Sequence, residues 1–404
     1  MKKKSALWRG LTGIMCLVLA LSIILGSVLE ANAGAIDTYL GTQSSKTVSE
    51  NPEDLYVKFV PDDKYLNEDG TGNSAALIEA AIDLGRREAA EGSVLLKNNG
   101  ALPLSEGSAV TLLGIRSHSN LIGSSFGVKA QGPFINLEQA LSQNITDFKN
   151  TIAWSVGSRG GANAPTTSGW NGGEFEFNGA GFTLNQTMID IYEKLGETYV
   201  HYENEPAAET YDPGEPSIAE IAAVNGDYKS SFATYGDAAI VVIARPSCEQ
   251  LDYMPGGVVE GLGFEHGEPL SLTQNELDLI ELAKEASDKV IILLQSSVSV
   301  EIGTLKNDPE VDAILWCGVP GNYGFLGVAD ILSGKVSPSG GLFDIFTAYN
   351  MSAPAMQNFG RLYYANADEV TRSGGVLGFN PGAYAIEAEG IYVGYRYYET
   401  RYYD

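Results

Sequence analysis

Cysteine and histidine are scarce, and each scarcity removes a class of function. Three cysteines occur in 404 residues, Cys16, Cys248 and Cys317, and Cys16 lies inside an apolar run. That is too few for a disulfide scaffold. Cys248 and Cys317 fall at the ends of expected strands, which leaves a single bridge open. The three histidines, His118, His201 and His266, are scattered and read as loop or surface residues. No Cys/His set has ligand spacing, so neither a metal nor a cofactor is expected. Positive charge is short too: 25 Lys and Arg face 51 Asp and Glu, a net charge of −26. Such a balance speaks against nucleic acid or an anionic lipid surface as partner. No internal repeat of fixed period is present.

What remains is a chain with a core to bury, 44% hydrophobic and 19% charged. It opens on a targeting pattern. Lys2, Lys3, Lys4 and Arg9 precede an uncharged run over residues 10–29, and Ala31-Asn32-Ala33 offers a small-x-small cleavage site. The run suits a signal peptide and is also long enough to span a bilayer. Cleaved or retained as an anchor, residues 1–33 direct the rest outward, because the cations stay on the cytoplasmic side. An extracellular or cell-surface location follows, with membrane anchoring through 10–29 as one of its two forms.

Residues 34–74 are polar, with Pro52, Pro61 and a DGTGN turn, and read as a linker or arm. From Ser74 the segment SAALIEAAIDLGRREAAEGSVLLKN carries apolar residues at helical spacing. AVTLLGI (109–115) is strand-like. The Gly-, Asn- and Ser-rich stretch 155–183 reads as a long surface loop. A helix is expected over 183–197, a short strand at ETYVHYE, and a further helix near 217–224. Regular alternation then sets in: strand 238–244, helix 274–287, strand 289–295, helix 300–307, strand 311–316, helix 324–333. Thr273 with Glu276 forms a capping box before the first of these helices. Continuous apolar runs such as KVIILLQ suit strands covered on both faces. The expected fold is therefore α/β, a three-layer sandwich with a mainly parallel central sheet over 75–348, preceded by an apolar N-terminal helix. Residues 349–404 are rich in Tyr and Gly and read as an extension leading toward a module that this sequence does not contain.

Two stretches carry chemistry. IVVIARPSCEQLDY (240–253) ends an apolar strand in a burst holding Arg245, Glu249 and Asp252. Ligands of open α/β sheets bind outside the carboxyl ends of the strands; the competing reading is a solvated loop whose charges pair locally. Glu260, Glu265 and Glu268 are further acids nearby. Glu249 stands out by position, five residues past the last apolar one, where partial desolvation raises a carboxyl toward the pKa of a general acid. GVPGNYGFLG (318–327) follows a strand and precedes a helix. Its glycines do not fit G-x-G-x-x-G, and no Lys-Ser/Thr follows. It reads as a close-packed turn, with a phosphate cradle as the alternative.

AAEGSVLLKNNGALPLS, AVTLLGI, VVIARPSCEQLDY, VIILLQSS and VDAILWCGVPGNYGFLGVADILSGKVSPSGGL occur in this order. Together they resemble the α/β-sandwich domain of glycoside hydrolase family 3, the β-glucosidases and their relatives. EGIYVGYRYYETRYYD (389–404) resembles the segment after that domain in a subgroup where it precedes a fibronectin-like module and the catalytic TIM barrel. The resemblance implies a retaining β-glycosidase acting on terminal β-linked sugars, β-glucosides above all. Such enzymes use two carboxyl groups roughly 5 to 5.5 Å apart. It also implies that the acid/base Glu sits in a loop like R-x-G-G-E-G-x-D, which places Glu249 as acid/base, with Arg245 and Asp252 supporting the loop. Cys248 and Gln250 stand where that loop has glycines. The nucleophile would be a barrel Asp, commonly in Ser-Asp-Trp. Trp8, Trp154, Trp170 and Trp316 all lack a preceding Asp, so the nucleophile and its barrel are expected elsewhere. A non-catalytic carbohydrate-binding or scaffold module, or a phosphate- or nucleotide-binding domain, are the rival readings.

Overall fold

The computed structural model describes residues 2–33, 62–118, 135–142, 144–154, 168–199, 213–245, 253, 255–256, 263–359, 365, 386 and 388–401. It divides into two compact units, residues 1–63 and 64–404. In the first, helix α1 (Lys2–Ala31) includes the 24-residue span Trp8–Ala31, in which an 18-residue window has mean hydropathy 2.4 and none of it is buried. That length and composition suffice to cross a membrane, and a signal sequence passes the same test.

The second unit begins with α2 (Ser74–Gly92), whose N-cap Asn73 accepts a hydrogen bond from Ala76 N at 3.1 Å. The helical pattern that the sequence carries to residue 98 stops at Gly92. Ser93 closes the helix onto Ala89 O, and Val94–Asn98 is strand β1. It pairs with Ala313–Trp316, far along the chain, so no local period could announce it. Next come β2 (Ala109–Leu113), the single turn α3 (Ile115–His118) and α4 (Leu137–Leu141). β3 (Asn144–Trp154) and β4 (Ser168–Asn178) form a separate antiparallel ribbon. This corrects the surface-loop reading for 168–178; the alternation there is confined to Phe175 and Phe177, after Gly169, Gly172 and Gly173, and the ribbon depends on its partner strand. The two-residue β5 (Thr183–Leu184) leads into α5 (Gln186–Tyr199). That helix takes in the first residues of ETYVHYE, which are therefore not strand.

The rest alternates as the apolar runs require: α6 (Ile218–Val224), β6 (Ala238–Arg245), α7 (Gln274–Ala286), β7 (Val290–Ser296), α8 (Gly303–Asn307), β8 (Ala313–Trp316) and α9 (Phe325–Leu332). The six-stranded sheet runs β1-β8-β7-β6-β2-β5, parallel throughout except for β1. Every residue of β6, β7 and β8 is buried. The pleat sends alternate residues to opposite faces. Ala238, Ile240 and Val242 pack beneath α2, α4 and α9; Ala239, Val241 and Ile243 pack beneath α5, α6 and α7. These are the three layers. Short helices α10 (Pro354–Gln357) and α11 (Tyr395–Thr400) follow.

Of the glycines in 318–327, Gly318 and Gly321 take positive φ in the turn, while Gly324 and Gly327 serve packing. A Cβ on Gly327 would collide with Arg86 O and lie 2.9 Å from Ala90 N, so α9 approaches α2 too closely for any side chain there. Arg86 clamps the same contact, its Nε and Nη2 donating to Asp330 at 2.5 and 2.6 Å.

Candidate active site

Strand β6 leaves the sheet at Arg245, and the reason this cation tolerates full burial is its set of acceptors. Nη1 and Nη2 donate to the two carboxylate oxygens of Glu276 at 2.6 and 2.9 Å. The same group donates to the carbonyls of Ala244, Ser271 and Pro269 at 2.8, 2.6 and 3.2 Å. The planar fork of guanidinium suits such a bidentate pair. Glu276 has a second task, since its Oε2 accepts from Thr273 N at 2.8 Å and completes the capping box of α7. One ion pair thus ties the end of β6, the far end of the β6–α7 loop and the start of α7 together. Glu276 was legible in the sequence only as a cap; its partnership with Arg245 joins residues that local spacing does not connect.

Glu249 and Asp252 lie outside the described residues, as do Glu260, Cys248 and His201. Glu265 accepts from Thr304 Oγ1 at 2.7 Å, and Glu268 from Gly256 N at 2.8 Å. His266 is on this loop and partly exposed, with Nδ1 hydrogen-bonded to Glu301, whose side chain is 1% exposed. Sequence reasoning missed Glu301, which follows β7 with no motif around it. His118 departs from the surface role expected of it: its imidazole is 3% exposed and stacks on Tyr192 with centroids 4.9 Å apart. Cys317 is a free, buried thiol that donates to Leu294 O at 3.4 Å. Burial pushes its pKa up to about 12, so it presents no thiolate nucleophile. Among the described residues no His, Cys, Asp and Glu group is arranged to hold a metal ion.

At the neighbouring end of β2 sits a buried acid. Glu215 Oε2 accepts from Ile115 N at 3.1 Å, while Oε1 has no partner. Burial raises its pKa well above the carboxylate range; the Ile115 bond opposes the rise, the charge of Glu276 adds to it and Arg116 opposes it. The sign follows from linkage. The folded chain holds this proton more tightly than the unfolded chain, which releases it near about pH 4.3. The stability associated with protonated Glu215 is therefore full below that pH and lost as pH rises through the folded value. Glu215→Gln is expected to remove this part of the slope, so urea midpoints of parent and variant should diverge in the variant's favour as pH rises. Parallel curves would mean that the acid is solvated.

The sequence profile described as "Glycosyl hydrolase family 3 C-terminal domain" matches residues 93–395. Beta-glucosidase A of Butyrivibrio fibrisolvens is 28% identical over 360 residues, which cover 85% of this chain and 35% of that protein. Exo-1,4-beta-xylosidase xlnD of Aspergillus awamori is 38% identical over 117 residues, 28% of this chain and 14% of that protein. Among solved structures, beta-glucosidase 3B of Thermotoga neapolitana in complex with glucose aligns with a TM-score of 0.54 at 23% identity. That alignment covers 82% of this chain and 38% of that one, and it speaks for the fold. The chain thus spans about a third of its Butyrivibrio relative. This chain belongs to the family of glycosyl hydrolase family 3 C-terminal domains.

Proposed function

We propose that this chain supplies the acid/base half of a retaining β-glycosidase. Glu249 protonates the glycosidic oxygen as the bond breaks, then takes a proton from the water that attacks the glycosyl-enzyme. The nucleophilic Asp comes from a TIM barrel, since no Asp-Trp pair occurs in this sequence. Terminal β-linked glucose is the substrate class, in keeping with the glucosidases among its relatives. The observation that carries this reading is the buried Arg245–Glu276 pair. It ties the end of β6 to the start of α7, and Glu249 falls in the sequence between them, in a connection of the kind that binds ligands in open α/β folds. Asp252 supports the same loop. Export through α1 would place the enzyme outside the cell, where oligosaccharides are met.

The test is complementation. The purified 404-residue chain alone is expected to show no turnover of aryl β-glucosides, because one carboxyl group cannot complete a retaining cycle. Adding a purified family 3 barrel module should produce substrate-saturable hydrolysis above that of the barrel alone. Hydrolysis by the chain alone would sink the two-module reading and direct attention to Glu260 and Glu265.

A further inference from the structure

Glu301 is buried at the start of the segment after β7, yet it does not close a pair inside the core. Its Oε1 accepts from Asn350 N at 2.7 Å, and its own N–H donates to Leu270 O at 2.9 Å. Its Oε2 faces His266 Nδ1. An ionised carboxylate only accepts, so with such a partner Nδ1 carries the shared hydrogen and Nε2 is the ring nitrogen left to meet other groups. The backbone N–H of His266 donates to Ser271 Oγ at 3.3 Å, and Tyr349 meets the imidazole edge-on with centroids 5.2 Å apart. The ring so fixed is 34% exposed.

A pair that only joined two segments would not need the histidine. Glu301 already links the β6–α7 loop to residue 350 through its backbone N–H and its Oε1. What the imidazole adds is an oriented ring nitrogen, on the same connection in the sequence as Glu249. We propose that His266, oriented by Glu301, is a substrate-binding residue whose Nε2 accepts a hydrogen bond from a hydroxyl of the sugar on the leaving-group side of the scissile bond. The proposal rests on the glycosidase reading above, in which Glu249 of the same connection protonates the leaving group. The ligand class is a β-linked disaccharide or longer oligosaccharide, whose leaving sugar carries the hydroxyl; a phenyl leaving group carries none.

The experiment uses the chain supplemented with the barrel module, assayed on cellobiose and on phenyl β-glucoside. His266→Ala should raise KM for cellobiose about tenfold with kcat little changed, the worth of one hydrogen bond. KM for phenyl β-glucoside should stay as it was. Glu301→Gln retains an acceptor for Nδ1–H and should keep most of the cellobiose affinity, whereas Glu301→Ala should lose it. Nitrogen-15 spectra of histidine-labelled 404-residue chain, with His266→Ala to assign the signal, should show Nδ1 protonated and Nε2 bare. Equal losses on both substrates, or the opposite tautomer, would overturn the proposal and leave the glycosidase reading standing. No hydrolysis of either substrate by the unsubstituted mixture would overturn both.

Discussion

Glu249→Gln, assayed with the barrel module present, is expected to cut turnover of an alkyl β-glucoside by about 10²- to 10⁴-fold, the usual contribution of general acid catalysis. The loss should be far smaller on a substrate with an activated aryl leaving group, which departs nearly unaided. Added azide should restore turnover of the activated substrate, because a small anion attacks the glycosyl-enzyme without a general base. Asp252→Asn should do less than Glu249→Gln, since Arg245 already makes hydrogen bonds to Glu276 and three carbonyls. Leaving-group dependence is the decisive readout. Equal losses on good and poor leaving groups, without azide rescue, would make Glu249 a structural residue of a solvated loop.

Glu276→Gln is expected to destabilise the domain by about 3–5 kcal/mol, the cost of leaving one partner of a buried ion pair without the other. Both groups are almost fully shielded, Arg245 at 0% and Glu276 at 2% side-chain exposure, so water cannot compensate. The amide also weakens the cap of α7, because one of its termini now donates where a carboxylate oxygen accepted. Urea unfolding followed by circular dichroism measures the loss. An Arg245→Met, Glu276→Leu double variant should recover a large part of it, since an apolar pair carries no unpaired buried charge. A loss below about 1 kcal/mol for Glu276→Gln would show that the pair behaves as a surface bridge.

The sequence made β6, β7 and β8 plain for one physical reason. A strand covered on both faces must be apolar at every position, and such runs stand out without knowledge of their partners. Thr273 and Glu276 likewise marked the start of α7, because a capping box is closed within four residues. The elements that escaped are those whose cause lies elsewhere in the chain. Val94–Asn98 is a strand because β8 offers it an edge, and Ser168–Asn178 because β3 lies beside it. At the site the same division holds. Arg245 was singled out by its position at a strand end, whereas Glu301 and its hold on His266 depend on a meeting of residues 35 positions apart. Tertiary pairing of this kind leaves no trace in local spacing.

Strand β1 has a consequence for how the chain is made. It pairs Val94 with Trp316 and Asn98 with Ala313, residues about two hundred positions later in the chain. Synthesis therefore delivers the first strand of this sheet long before the strand it needs. Until β8 is complete, Val94, Leu95 and Leu96 have no ladder to join. In the same interval β7 and β6 can pair only with each other and with β2. The sheet closes at its β8 edge in a late step that brings the two ends of the domain together. Before that step β8 offers a bare row of donors and acceptors to any passing chain. A nascent molecule of this kind is most exposed to misassembly just after β8 emerges, and a factor that holds the chain open at that moment would protect it.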